Sequence, residues 1–499
     1  MKKDNTVSRR NFISLLWIIS GAVLCVTFAA VSVPRLSAQG QSGEKNAPSA
    51  SRRYAAIIQN VFDFIQRNYV DEVDPNVIYE GAMTGMLNAL GDPYSVYMPE
   101  SEMTDLNDTT QGNFGGVGLY ISAGELQGDG TMNYLEVAAP MEDTPGWRAG
   151  INPGDHIISI NGESTRGMTM EGVLSRLRGT PGEKVTVVIR RGEKLEFPVE
   201  IVRAVIEVPT TKYALIDDIG YLKLITFTPM TVDRAREAIT EFRSKGYKSL
   251  ILDLRNNYGG LLESAVGVSS LFLNGGVVVS TKSRIPGESR NFNARRVTMV
   301  DDGIPIVVLI NKGSASASEI VAGALKDRGR AYLVGEKSYG KGLVQQVYPL
   351  EKGGFKITTA RYYTPSDVNI DRVGIPPDRE VVFPDFTDAD AEKLGALIKS
   401  NAIRSFVEAN PEVSAAGIDA FAGELSGEYG LDRALLRRLV RNEQNRTSIA
   451  PVYDLEYDVQ LQEAVNILRG GSYRALMQTT KTLKVLQEEA VQEELPLAS

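Results

Sequence analysis

The chain has 499 residues, 43% of them hydrophobic and 23% charged, with a formal net charge of -8. That length exceeds one ordinary domain and predicts roughly two to four, while the negative balance argues against nucleic acid as a partner. One cysteine, Cys25, and one histidine, His156, exclude a disulfide framework and leave a metal only carboxylates, so no cofactor is implied.

At the N-terminus, Lys2, Lys3, Arg9 and Arg10 precede an uncharged run from Phe12 to Val33. The run is longer than the apolar core of a signal peptide and long enough to span a bilayer. Its positive flank should stay inside, which places the rest of the chain on the extracytoplasmic, periplasmic side, anchored in the cytoplasmic membrane by residues 12–33. Residues 1–38 therefore predict a signal anchor or, with cleavage after Ala38, a signal peptide; Ser8-Arg9-Arg10-Asn11-Phe12 also looks like a twin-arginine export signal. Residues 39–53 are small and polar and predict a linker. Residues 54–111 predict a helical leader. Ile58, Val61, Phe62 and Ile65 fall at helical spacing, and a second helical stretch over 77–90 stops at Gly91-Asp92-Pro93-Tyr94.

Residues 112–205 are glycine-rich with short strands over 117–121, 134–137, 156–160, 184–190 and 196–202. Gly115-Gly116-Val117-Gly118-Leu119, then Pro145-Gly146-Trp147-Arg148-Ala149-Gly150-Ile151, then residues 153–162 (PGDHIISING) resemble a PDZ domain. In that reading the Gly116-Val117-Gly118 loop turns N–H groups toward a terminal carboxylate, and the strand from Leu119 offers an edge to an extended peptide. Val173, Leu174 and Leu177 lie on the helix facing that groove. The competing reading is a glycine-rich β-module or hinge with no ligand. His156 sits in this module and reads as a surface or hinge residue rather than a catalyst.

Residues 206–385 alternate strands and helices: strands over 220–227 and 250–254 flank a helix over 232–244. A buried-looking strand, 304–310, runs through Asn311-Lys312-Gly313 into Ser314-Ala315-Ser316-Ala317-Ser318-Glu319 and a helical pattern over 320–326. Serines at such a junction are ordinarily helix caps, and Lys341 in Gly340-Lys341-Gly342 could be a plain surface lysine. The same segment, 335–342, nearly fits a phosphate loop, but Gly342 replaces the hydroxyl that would hold magnesium. The alternative is a nucleophilic serine. The free N–H groups and positive dipole end of a helix stabilise an oxyanion there, and a second donor is available from the loop Asp253-Leu254-Arg255-Asn256-Asn257-Tyr258-Gly259-Gly260. Without a histidine nearby, lysine is the natural base. A lysine in that role needs its pKa brought from about 10.4 to roughly 7–8, which burial supplies. A neutral group such as Gln345 could orient the amine. Residues 386–499 show no clear strand; leucines such as Leu431, Leu435 and Leu439 predict a helical extension.

Taken in order, Gly91 to Ser95, the PDZ motifs, Leu254 to Gly260, Gly313 to Glu319, Gly335 to Gln345, and Ala360-Arg361-Tyr362-Tyr363-Thr364-Pro365-Ser366 resemble the carboxy-terminal processing, or tail-specific, protease family over roughly residues 55–380. The resemblance implies a multidomain α/β protein: a crotonase-like α/β serine protease core with an inserted PDZ domain that recognises substrate C-termini and gates the site. It implies Ser316 as nucleophile, Lys341 as general base, Gln345 orienting the lysine, and Gly260 and Ala317 as oxyanion N–H donors. The preference for Ser316 over Ser314 and Ser318 rests on the family's serine-to-lysine spacing. Tyr258 and Asp367 depart from the family pattern, where a small residue or proline and a glycine are usual. The expected partners are exported proteins with unstructured C-termini and a regulatory adaptor, with a homo-oligomer assembled through the C-terminal extension. An inactive peptide-binding scaffold and an acyl- or small-ligand-binding relative are the competing classes.

Overall fold

The computed structural model describes residues 50–122, 134–192, 194–382, 388–446 and 451–494. The predicted membrane segment, Cys25 and the linker up to residue 49 lie outside them. Among the described residues no helix is long and apolar enough to cross a membrane. Two compact units divide the chain: the residues up to Met103 together with Gln345–Thr358, and Thr104–Val344 together with Thr359–Ser499.

In the first unit, helices Ala50–Asn68 and Pro75–Asn88 fall where their apolar spacing predicts. Asp74 caps the second by accepting the Asn76 N–H, and Pro75 occupies the first turn, where its missing N–H costs nothing. The Asp92 carboxylate closes the following turn on Tyr94 N and Ser95 Oγ, at 3.0 and 2.6 Å. Strand Val96–Met98 then pairs antiparallel with Gly354, Phe355 and Lys356.

The second unit contains the glycine-rich module and the α/β core. The module is an antiparallel sheet in the order Leu119–Ser122, Leu135–Pro140, His156–Ile160, Lys184–Arg191, Leu195–Val202. Val185, Val187 and Ile189 alternate inward along one strand, the period of two that a half-buried strand requires. A two-stranded stem, Asn113–Gly116 against Ala204–Glu207, closes the module.

The core sheet runs Thr211–Ile216, Ile219–Leu224, Ser249–Asp253, Ile306–Ile310, Tyr332–Gly335, Arg379–Glu380; the first pair is antiparallel and the rest parallel. Ser249–Asp253 and Ile306–Ile310 are buried throughout, as strands covered on both faces must be. Leu250, Leu252, Ile306, Val308 and Ile310 meet one layer with helices Thr231–Ser244, Leu262–Ser269 and Ala317–Asp327. Ile251, Val307 and Leu309 meet the other, where Leu461, Ala464, Val465 and Ile467 of helix Val459–Arg469 close the sheet.

That second layer changes the reading of the C-terminal region as one helical extension. Helices Asp388–Ser400, Ala402–Ala409, Ala415–Tyr429 and Arg433–Arg446 share clusters of their own around Leu397, Leu425, Leu436 and Val440. Residues 451–494 belong to the α/β core. Periodicity shows that a helix has an apolar stripe; it does not show which surface the stripe covers.

Candidate active site

The buried strand Ile306–Ile310 ends in a turn held by the Asn311 side chain, whose Oδ1 accepts N–H bonds from Gly313 and from Asn256 in the neighbouring loop, at 3.0 and 2.9 Å. The three serines that follow have different fates. Ser314 Oγ donates to Leu254 O at 2.9 Å and Ser318 Oγ to Asn257 O at 2.8 Å, and both residues are fully buried. These two hydroxyls stitch the serine loop to the glycine loop. Ser316 is partly exposed and sits immediately before helix Ala317–Asp327 with φ 55° and ψ -113°. A non-glycine residue in that region is strained by about 1–3 kcal/mol and persists only where its surroundings hold it.

The glycine loop lies directly against it. A Cβ on Gly259, whose φ is +107°, would come within 2.8 Å of Ser316 Cβ and 2.9 Å of Ala315 O; one on Gly260 would come within 2.2 Å of Phe227 O. Only glycine permits this approach. Phe227 N donates to Gly259 O and Leu261 N to Phe227 O, so this bridge does not use the Gly260 N–H. Ala317 is the first residue of its helix, where N–H groups have no intrahelical partner. Tyr258 is 78% exposed and leaves the loop to Asn257, whose side chain accepts from Gly259 N and donates to Leu224 O. Asp367 adopts φ +65° at its exposed turn, a left-handed conformation that aspartate tolerates and glycine adopts without strain.

Two residues that drew no role in the sequence tie the candidate nucleophile to the candidate base. Glu319 is fully buried, and its carboxylate accepts four bonds: Ser316 N at 2.9 Å, Lys341 N at 2.8 Å, Gly340 N at 2.7 Å and Ser338 Oγ at 2.6 Å. Burial pushes its pKa up, and the bonds from Ser338, Lys341, Ser316 and Gly340 pull against that. Tyr362 donates its hydroxyl to Lys341 O and also lies 3.3 Å from Ser316 O. The backbones of Ser316 and Lys341 are thus joined through one carboxylate and one phenol. The signal for Glu319 was present in the sequence, because Ser316-Ala317-Ser318-Glu319 is an S-x-x-E capping-box pattern. Tyr362 lies within the motif Ala360 to Ser366, but nothing in that motif assigns its hydroxyl a role.

The same bonds dispose of the phosphate-loop resemblance. The Gly340 and Lys341 N–H groups face a carboxylate, and the flanking glycines let the segment around Asp371–Gly374 approach: a Cβ on Gly340 would lie 2.9 Å from Gly374 N, and one on Gly342 2.6 Å from Asp371 N. Gln345 is the first residue of the segment that belongs to the other compact unit. Among the described residues no group of three or more His, Cys, Asp or Glu side chains could hold a metal ion.

In the glycine-rich module, Gly116 closes the stem, Val117 and Gly118 follow, and Leu119 opens the strand at the end of the sheet order, the edge that peptide addition requires. Two groove residues need correction. Val173 and Leu177 are 0% and 4% exposed and belong to the module's core, so neither side chain faces an open groove. On the same helix, Met170–Leu177, it is Met170 and Leu174 that are half-buried. Residues four apart mark the deepest stripe of a short helix, and that stripe goes to the core before it goes to a ligand.

Three family profiles match the chain: peptidase family S41 over residues 218–381, the PDZ domain over 136–191, and the activating protease CtpB N-terminal domain over 21–102. A carboxy-terminal-processing protease of Bartonella bacilliformis is 40% identical over 355 residues, covering 70% of this chain and 80% of the relative. The carboxy-terminal processing protease CtpB of Bacillus subtilis is 32% identical over 403 residues, covering 79% and 81%.

Proposed function

The chain belongs to peptidase family S41 as a carboxy-terminal processing serine protease with a PDZ domain, and from that premise we propose that it cuts exported proteins through a Ser316–Lys341 dyad after engaging their C-terminal tails. The observation that carries this reading is the Glu319 carboxylate, which binds the backbone N–H of both residues.

In this mechanism the Lys341 amine takes the Ser316 proton as Oγ attacks the scissile carbonyl. The oxyanion that develops is met by the N–H groups of Gly260 and Ala317, the second at the positive end of a helix. The Lys341 ammonium then protonates the departing amine, leaving an acyl-serine. Water, deprotonated by the same lysine, releases the new C-terminus. Gln345 orients the amine without adding charge. The parallel sheet covered by helices on both faces suits the crotonase-like core implied by the resemblance. The edge strand Leu119–Ser122 suits capture of a tail, and loss of residues 115–203 is expected to remove the preference for tailed substrates. The uncharged run 12–33 behind its basic flank supports a periplasmic location held at the membrane. The four-helix cluster over 388–446 is the assembly or adaptor surface, checked by comparing solution mass with and without it.

The decisive experiment compares cleavage of an unfolded protein bearing an apolar C-terminal tail by wild type, Ser316→Ala and Lys341→Ala. Both variants are expected to fold and to be silent. Cleavage by Ser316→Ala at the wild-type rate would overturn the nucleophile assignment. Glu319→Gln puts an amide donor against N–H groups that need an acceptor, so it should lower kcat while leaving tail binding intact.

A further inference from the structure

The glycine loop is anchored from a distant part of the chain. Strand Ser249–Asp253 ends in a carboxylate that is 0% exposed. Its Oδ1 accepts the N–H and the Nε of Arg255, at 2.9 and 3.0 Å; its Oδ2 accepts Arg255 Nη2 and the Tyr221 hydroxyl, both at 2.7 Å. Lys223 Nζ stands 3.7 Å away. The far side of the guanidinium meets the C-terminal segment: Nη1 donates to Asp458 Oδ1 at 2.7 Å and Gln460 Oε1 at 3.0 Å, and Nη2 to Asp458 Oδ2 at 2.6 Å. All five N–H groups of the side chain are used, the full capacity of an arginine. The two acceptors are themselves fixed. Asp458 caps helix Val459–Arg469 through the Leu461 N–H, and Gln460 donates to Val381 O.

Arg255 stands five residues before Gly260. Just before it Leu254 O receives Ser314 Oγ, and between it and Gly260 the Asn257 O receives both Ala315 N and Ser318 Oγ. A short loop pinned at its start and bonded along its length to the serine loop has little freedom left at its glycines. The Asp253 side of the clamp is local to the loop; the Asp458 and Gln460 side comes from 203 and 205 residues away.

We propose that Arg255, gripped by Asp458 and Gln460, is a positioning residue for the Gly259–Gly260 loop, so that residues 458–460 act in catalysis without touching substrate. The inference rests on the dyad reading above, in which Gly260 supplies an oxyanion donor. Asp458→Asn keeps the helix cap and the Nη1 bond through Oδ1 but sets an amide donor against Nη2. Arg255→Lys keeps the charge and loses the fork. Gln460→Leu removes one acceptor and no charge, and serves where the others fold poorly.

The measurement is kcat and KM on a tailed substrate. It is paired with the affinity for a peptide boronate, which forms a tetrahedral adduct on the serine, and for a free C-terminal peptide. The expected result is a fall in kcat of about tenfold for Asp458→Asn, with KM within about twofold, boronate affinity falling in parallel and C-terminal peptide affinity unchanged. Gln460→Leu should show the same pattern at smaller size. A folded Asp458→Asn enzyme with wild-type kcat and boronate affinity overturns the proposal while Ser316→Ala remains silent. If Ser316→Ala still cleaves, it is the dyad reading that has failed.

Discussion

The two halves of the C-terminal region share a helical pattern and differ in structural role. Both are helical, and both carry apolar residues three to four apart. The four helices over 388–446 bury Leu397, Leu425, Leu436 and Val440 among themselves. Helix Val459–Arg469 buries Leu461, Ala464, Val465 and Ile467 against Tyr221, Ile251, Val307 and Leu309 of the central sheet. An amphipathic stripe is therefore only a demand for a partner. In one half the demand is met by neighbours in sequence, and in the other by strands more than a hundred residues away.

The strongest way to break this comparison is to end the chain after residue 446. The sheet face beneath helix Val459–Arg469 is then open, and the expected outcome is an insoluble, inactive protein by expression and peptidase assay. Point changes sharpen the comparison further. Leu461→Ala and Leu436→Ala each empty a fully buried site, and each should cost about 2–5 kcal/mol in the unit it supports. Thermal unfolding of Leu461→Ala is expected to take activity with it, whereas Leu436→Ala should loosen the four-helix cluster and leave kcat unchanged. Equal loss of kcat in both would erase the distinction.

Acid supplies a third test. Burial alone would raise the Asp253 carboxyl, but the Arg255 guanidinium, Lys223 and the Tyr221 hydroxyl outweigh it and hold the group well below the ordinary carboxylate range. Its contribution to stability is complete above its unfolded value, about 3.9, and is lost as pH falls through the lower folded value. Arg255→Met lifts that folded value, so acid unfolding followed by circular dichroism should begin at higher pH than in wild type. An unmoved acid midpoint would mean that the clamp between core and C-terminal segment carries no linkage. The smallest effect belongs to the outlying half: the Arg433–Asp419 pair is about half exposed on both sides, and Arg433→Ala should change stability by under about 1 kcal/mol with no change in activity.

How much was legible in the sequence follows from the range of each interaction. Strands 249–253 and 306–310 announced themselves because a parallel strand covered on both faces is a continuous apolar run. The glycine pair and the serine and lysine motifs stood out because close backbone approach admits so few residues. What separates Ser316 from Ser314 and Ser318 is the partner each hydroxyl finds, Leu254 O and Asn257 O for the outer two, and those partners lie about sixty residues upstream. Asp458 caps its own helix through Leu461 N; its second duty on Arg255 depends on folding that brings distant segments together. Val173 and Leu177 show the opposite failure, a correct stripe assigned to the wrong side.

The placement of helix Val459–Arg469 also sets an order in time. Synthesis delivers the N-terminal end first, so Ser316, Lys341 and the glycine loop all emerge before the helix that covers the sheet and the aspartate that clamps Arg255. A partly made chain holds the serine and glycine loops and lacks the layer packed on their sheet. A chain that stops short of residue 458 therefore carries both loops without the Asp458 and Gln460 side of the Arg255 clamp.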